Sequence, residues 1–236
     1  MDYSETVPFQ YETGKERFMG MDISVDKRVF IPRPETELLV NVVAKLCREG
    51  ICEAPLILDV GTGSGIIPLG LTQLIDKCRV VAVDISLSAL MVAAANIRKF
   101  RRENKVRLLR SDMFEAFKEE CEEIFDVIVS NPPYVSAEDY EKVDVWVKTE
   151  PKIALYGGDD GMEQIRRIAE ESGKFLKKGG LLAMEVGYDQ GKKVKDMLGI
   201  YGFKNVTGYH DFNGYERVIA AWKPEEKEGD RGIWTN

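Results

Sequence analysis

Asp59-Val60-Gly61-Thr62-Gly63-Ser64-Gly65 and Asn131-Pro132-Pro133-Tyr134 are the segments of this sequence whose residue types could do chemistry. Glycines at alternate positions let a backbone take φ > 0 and come close to a ligand. A helix beginning just after them adds free N–H groups facing the same ligand. The spacing is G-x-G-x-G, with Ile66 where a dinucleotide fingerprint has its last glycine, so it points to a nucleotide-like ligand in general. Asp84 stands 19 residues beyond Gly65, where a carboxylate can accept both hydroxyls of an adenosyl ribose. In the other segment the Asn131 amide oxygen and the Pro132 carbonyl are a pair of acceptors, and the prolines stiffen the turn that aims them. Such a pair suits a planar –NH2 group, as in an adenine, a cytosine or a carboxamide. Tyr134 supplies a flat face for it to stack on.

These residues must be positioned by regular elements. Leu56–Val60 is a compact apolar run ending at the glycines, as a buried parallel strand would be. Further strands are expected at Val80–Asp84, Val106–Leu109, Phe125–Ser130, Leu181–Val186, Phe203–Tyr209 and Arg217–Trp222. Helices are expected at Ser64–Ile75, Leu87–Phe100 with Ser86 as cap, Glu163–Leu176 stopped by Lys177-Lys178-Gly179-Gly180, and Gln190–Tyr201. Strand alternating with helix means an α/β fold, a doubly wound and mainly parallel sheet of seven strands. In such a sheet ligands sit beyond the carboxyl ends of the strands at the switch point. The first and fourth strands flank that point, so the glycine loop and Asn131–Tyr134 should face each other across one crevice.

Residues 1–34 form a separate N-terminal segment, with Phe18–Ile23 and Arg28–Ile31 able to pair as a hairpin; a helix follows from Glu35 to Arg48. Residues 35–222 make the main domain, and the charged tail 223–236 is expected to be loose. The stretch 131–161 has little regular pattern, which in a compact domain points to function.

Composition removes other classes. Lys plus Arg number 33 against 40 Asp plus Glu, a net charge of −7, which argues against coating nucleic acid by charge. The longest apolar run, Ala89–Ala95, is far short of the ~20 residues that span a bilayer. Met1–Glu5 carries no signal-peptide pattern. Cys47, Cys52, Cys78 and Cys121 form no CxxC pair and His210 is the only histidine, so no metal site and no histidine triad is expected. The expected compartment is the cytoplasm. The basic stretch Arg98–Arg110 is taken as a solvated helix end rather than an RNA patch. Arg33 and Glu35 either organise the crevice mouth through an ion pair or simply open a helix. Glu150 either polarises the site or is an ordinary loop carboxylate.

An adenosyl ligand beside a slot for a planar –NH2 fits methyl transfer from S-adenosylmethionine, whose methyl is already activated and needs only a nucleophile held in line. An amide nitrogen is a poor nucleophile; accepting hydrogen bonds from both of its N–H groups returns charge to it. Hydride transfer fits poorly, because nothing near the crevice is an evident proton relay.

From about Pro8 to Trp222 the sequence resembles the HemK/PrmC-type glutamine N5-methyltransferases of peptide chain release factors. The resemblance is carried by Pro8-Phe9-Gln10-Tyr11 with Gly14, Phe18 and Gly20, and by Phe30-Ile31-Pro32-Arg33-Pro34-Glu35-Thr36-Glu37. The glycine loop, Asn131–Tyr134, Glu150-Pro151 and Gly157-Gly158-Asp159-Asp160-Gly161 complete it. It implies a class I, Rossmann-like methyltransferase domain with a β-hairpin lid, S-adenosylmethionine as cofactor, and a release factor as protein partner, modified at the glutamine of its Gly-Gly-Gln motif. By position, Gly61, Thr62, Gly63, Ser64, Gly65 and Asp84 match the cofactor loop and ribose carboxylate, and Asp112 with Met113 the adenine side. Asn131, Pro132, Pro133 and Tyr134 match the glutamine-amide site, with Asn131 also beside the cofactor; Met113 departs from the leucine or aromatic residue usual there. The small N-terminal helical domain usual in the family has no match here, which opens the protein substrate to alternatives such as a ribosomal-protein glutamine. A different alternative is adenine-N6 methylation of DNA or RNA, which shares Asn-Pro-Pro-Tyr but would need a cationic groove and base extraction. A non-catalytic docking module is a third.

Overall fold

The computed structural model describes residues 7–117 and 122–225; Met1–Glu5, Cys121 and most of the charged tail lie outside the described residues. The chain opens with a short helix α1 (Phe9–Thr13), then strands β1 (Lys15–Phe18) and β2 (Met21–Ser24). Next come α2 (Pro34–Leu46), β3 (Leu56–Val60), α3 (Ile66–Leu74), β4 (Arg79–Asp84), α4 (Leu87–Lys99), β5 (Val106–Arg110) and β6 (Phe125–Ser130). The chain closes with α5 (Ala137–Lys142), α6 (Glu163–Phe175), β7 (Leu176–Glu185), α7 (Gly191–Ile200), β8 (Lys204–His210) and β9 (Glu216–Trp222).

The main sheet has seven strands in the order β5-β4-β3-β6-β7-β9-β8, with β9 alone running against its neighbours. Its centre reads as apolar runs because both faces are covered: all six residues of β6 are buried. Along β3, Ile57 packs with α2, α3 and α4 on one face, while Leu58 and Val60 pack with α6 and α7 on the other. Val60 lies opposite Ser130 in the parallel β3–β6 pair. The glycine loop and Asn131 therefore leave neighbouring strand ends, one strand spacing of ~4.8 Å apart.

The hairpin is not the one expected. Lys15–Phe18 pairs with Met21–Ser24. Its turn is Met19-Gly20, with φ of 47° and 79°. Two positive φ values match the right-handed twist of a tight hairpin, but Met-Gly is not one of the dipeptides that announce it. Phe18 and Ile23 point into the core. Asn96 of α4 brackets Ser24, accepting from its N–H at 2.8 Å and donating to its carbonyl at 2.9 Å. Arg28–Ile31 forms no strand and runs instead along the crevice.

At the other end, Lys177–Gly180 does not stop α6 into a loop but belongs to β7. Lys223 closes that extension by exchanging backbone hydrogen bonds with Gly179 and Gly180. It is only 4% exposed, and its ammonium donates to Glu123 and to the Leu176 carbonyl. The tail is thus fastened at its first residue. The stretch 131–161 contains α5 and two single helical turns. Ser86 caps α4 as expected, its hydroxyl accepting from Ala89 N–H at 3.2 Å.

Candidate active site

The ends of β3, β4 and β6 open into a cavity of about 320 Å³. That is within the usual range for a small-molecule site. Its floor on one side is the glycine loop, with Gly61, Gly63 and Gly65 at φ of 77°, 54° and 83°. The loop is pinned from β4: the Val83 carbonyl accepts from both Gly61 and Thr62 N–H at 2.9 Å. Asp84 Oδ2 accepts from Gly63 N–H at 2.9 Å and Oδ1 from Ser86 N–H at 2.8 Å. A carboxylate has about four acceptor sites, so Asp84 keeps lone pairs for a ligand hydroxyl. Burial raises its pKa against the pull of those amides.

A Cβ on Gly61 or Gly63 would meet nothing within 4 Å, so both backbones border open cavity. Gly65 differs: a Cβ there would sit 3.3 Å from Ala93, so this glycine lets α3 pack close to α4 and does not line the cavity. Thr62, Ser64, Asp84, Asp112, Met113 and Asn131–Tyr134 all line it. Asp112 is ion-paired to Arg167 of α6 at 3.2 Å.

Beneath the loop is a residue to which the sequence reading assigned no role. Asp59 is fully buried, and neither of its oxygens has a hydrogen-bond partner; the Thr62 hydroxyl is also unpartnered. Burial pushes the Asp59 pKa up to about 7; Thr62 nearby acts against this and Asp84 adds to it. Unsatisfied buried acceptors are costly. Asp59 lies behind the cavity wall, whereas the Thr62 hydroxyl and Asp84 line it and could take a ligand's cationic amine and its ribose. S-adenosylmethionine has both, so the residues present fit it.

The opposite wall is Asn131–Tyr134, and its rigidity comes from more than its prolines. Val135 N–H donates to the Leu155 carbonyl and Gly157 N–H to the Val135 carbonyl, both at 2.9 Å. The Gln190 side chain donates to the Tyr134 and Gly161 carbonyls at 3.0 and 3.2 Å. Gly161 lies so close that a Cβ would fall 2.4 Å from the Tyr134 carbonyl oxygen. A Cβ on Gly157 would likewise fall 2.6 Å from the Pro133 carbonyl oxygen, so these two glycines buttress the turn, while Gly158 approaches Glu163 instead.

Arg33 pairs with Glu150, which also accepts from Ile31 N–H at 2.9 Å. Glu150 is only 2% exposed, and burial raises its pKa against Arg33. The ion pair at the mouth is therefore not the Arg33–Glu35 pair held open above but Arg33–Glu150, which ties Val29-Phe30, lining the cavity, to the loop after α5. Glu35 instead lies 4.0 Å from Arg217. His210 is exposed at the end of β8. Among the described residues no group of three or more His, Cys, Asp or Glu side chains is placed to hold a metal ion, and no helix is long and apolar enough to cross a membrane.

Residues 34–150 match the family model described as Methyltransferase small domain. Over 220 residues the chain is 39% identical to the release factor glutamine methyltransferase of Moorella thermoacetica, covering 93% of this chain and 76% of that protein. The chain belongs to the release factor glutamine methyltransferases. The Koribacter versatilis member is 41% identical over 219 residues, 92% of this chain and 75% of that one. Among solved structures, the release-factor-specific protein-(glutamine-N5) methyltransferase of Alicyclobacillus acidocaldarius superposes with a TM-score of 0.50 at 26% identity, covering 82% of this chain and 94% of that chain. A Pyrococcus furiosus methyltransferase gives 0.64 at 21% identity, over 87% and 90% of the two chains, and shares the fold. Phe30 and Thr36 line the cavity, and the buried Asp59 and Glu185 lie behind its walls, although the motifs gave none of the four a role.

Proposed function

We propose that this chain transfers a methyl group from S-adenosylmethionine to the side-chain nitrogen of the glutamine in the Gly-Gly-Gln motif of a peptide chain release factor, in the cytoplasm. One observation carries the proposal: the pinned glycine loop and the buttressed Asn131–Tyr134 turn leave paired strand ends and line one cavity. The Asn131 amide donates its N–H to Thr36 Oγ1 at 3.0 Å, which turns its Oδ1 away from Thr36 as a free acceptor. Asn131 Oδ1 and the Pro132 carbonyl then take the two N–H groups of the glutamine carboxamide, and the half-buried Tyr134 ring covers its face. When bound, the cofactor supplies a methyl already activated for attack. The acceptors restore electron density to the amide nitrogen and stabilise the positive charge it gains as the new C–N bond forms. The methylated nitrogen gives up one proton afterwards, so no strong base is required. Asp84 takes the ribose hydroxyls, the Thr62 hydroxyl the amine end, and Asp112 and Met113 the adenine side. Val29 and Phe30, in the irregular segment held by the Arg33–Glu150 pair, line the cavity.

The test is mass spectrometry of a release factor incubated with the protein and isotopically labelled S-adenosylmethionine. One methyl on the Gly-Gly-Gln glutamine is expected. Label found only on nucleic acid would overturn the proposal in favour of adenine methylation.

A further inference from the structure

The geometry points to Glu185 and Thr36 as positioning residues that decide which way the Asn131 amide faces, and hence that the slot accepts a carboxamide and rejects a carboxylate. This rests on the proposed glutamine chemistry and says how the slot is made selective.

The argument is a count of protons. Thr36, at the start of α2, is fully buried, and Glu185, at the end of β7, is 1% exposed. Thr36 Oγ1 is 2.8 Å from Glu185 Oε2 and 3.0 Å from Asn131 Nδ2. A hydroxyl has one proton and a carboxylate only accepts. Thr36 therefore gives its proton to Glu185, and its oxygen is left as an acceptor. Whatever part of Asn131 faces it must be a donor, so the –NH2 faces Thr36 and Oδ1 faces the cavity. A reversed amide would set lone pair against lone pair at Thr36 and present a donor to the substrate's own N–H groups. Glu185 Oε1 takes a second hydrogen bond from the Tyr134 hydroxyl at 3.2 Å. One carboxylate thus governs both the amide and the ring that flank the slot. Burial pushes the Glu185 pKa up to about 7, with Glu35 adding to this and the two hydroxyl donors and Arg217 acting against it, so the proton order described belongs to the ionised carboxylate and the assays are run above that pH.

The test uses Glu185→Leu, Thr36→Val and Thr36→Ser in the full chain. Each is assayed for S-adenosylmethionine affinity, for turnover of a Gly-Gly-Gln peptide, and for relative affinity of that peptide and its Gly-Gly-Glu counterpart on the enzyme loaded with S-adenosylhomocysteine. With Glu185→Leu, Thr36 loses its acceptor, and its proton turns to Asn131 and reverses the amide. The expected result is a fall of about tenfold or more both in turnover and in the Gln-over-Glu preference, because a slot with unpaired or mismatched polar groups discriminates poorly. Cofactor affinity should stay within about twofold of the parent, far below the tenfold that 1.4 kcal/mol represents. Thr36→Val should lose turnover and preference; Thr36→Ser, which keeps the hydroxyl, should recover both. Serine as damaging as valine, or an unchanged preference in Glu185→Leu, would overturn the inference as mere packing. An arm independent of substrate separates it from the proposed function: in the unliganded protein the Asn131 Nδ2 protons should exchange slowly in the parent and fast in Thr36→Val. Equal rates overturn the amide lock; slow exchange in a parent that methylates no glutamine overturns the function instead.

Discussion

Gly161→Ala should disable the enzyme while leaving most of the fold intact, and Gly14→Ala is its internal control. Both glycines have φ of 69°, so alanine incurs the same left-handed backbone strain at each, roughly 1–2 kcal/mol. Their surroundings differ. At Gly14 a Cβ meets nothing within 4 Å, whereas at Gly161 it falls 2.4 Å from the Tyr134 carbonyl oxygen and 2.8 Å from Gln190 Nε2. Ordinary van der Waals contact begins near 3.4 Å, so the Tyr134 backbone must retreat by about 1 Å or lose its Gln190 hydrogen bond. A displacement of that size next to reacting groups costs on the order of 100-fold in rate. The lost hydrogen bond adds about 1 kcal/mol of destabilisation. The assay pairs a denaturant melt with kcat/KM on a release factor for both variants. Gly14→Ala should lose only its strain energy and keep its turnover. If Gly161→Ala kept turnover equal to Gly14→Ala, the close approach of the 157–161 segment would not be what holds the Asn131–Tyr134 turn in place.

Asn131→Ala should bind S-adenosylmethionine with little change by calorimetry yet lose roughly 100- to 1,000-fold in kcat, the usual cost of removing one preorganised group at a developing charge; weakened cofactor binding alone would contradict its role. Asp84→Ala should do the reverse, weakening cofactor binding about tenfold or more, because it removes both the ribose acceptor and the group that holds Gly63 N–H. Asp59, with its pKa raised from 3.8 to about 7, keeps in the fold a proton that the unfolded chain releases. Its contribution is therefore present at low pH and lost as pH rises toward 7. The stability difference between the parent and Asp59→Asn should fall with pH between those values by up to about 1.4 kcal/mol per pH unit, and a flat difference would show that Asp59 titrates normally.

Local segments were legible because their physics is local. The glycine loop is forced by residues that tolerate φ > 0, and the apolar runs of β3, β4 and β6 by burial on both faces. The switch-point rule then placed Gly61 and Asn131 side by side, since it depends only on strand order. The hairpin register was not legible because the Met19-Gly20 turn carries no familiar signal, and the apolar residues of Arg28–Ile31 suit a strand as well as a cavity wall. The anchoring of Lys223 is not visible locally, because what buries it, Glu123 and the start of β7, lies far back in the chain.

What the sequence by itself determined is the kind of chemistry: a flexible backbone cradle with a carboxylate partner, and a stiff turn with paired acceptors and an aromatic face. Tertiary structure alone decided how those acceptors are aimed. The Thr36–Glu185 hydrogen bond joins residues 149 apart in the chain, Asn131–Thr36 spans 95 and Tyr134–Glu185 spans 51. A hydroxyl, an amide and a carboxylate have no preferred partners until folding removes water and leaves them only one another. The direction of each shared proton, and with it which end of the Asn131 amide meets the substrate, is a property of that enclosed contact.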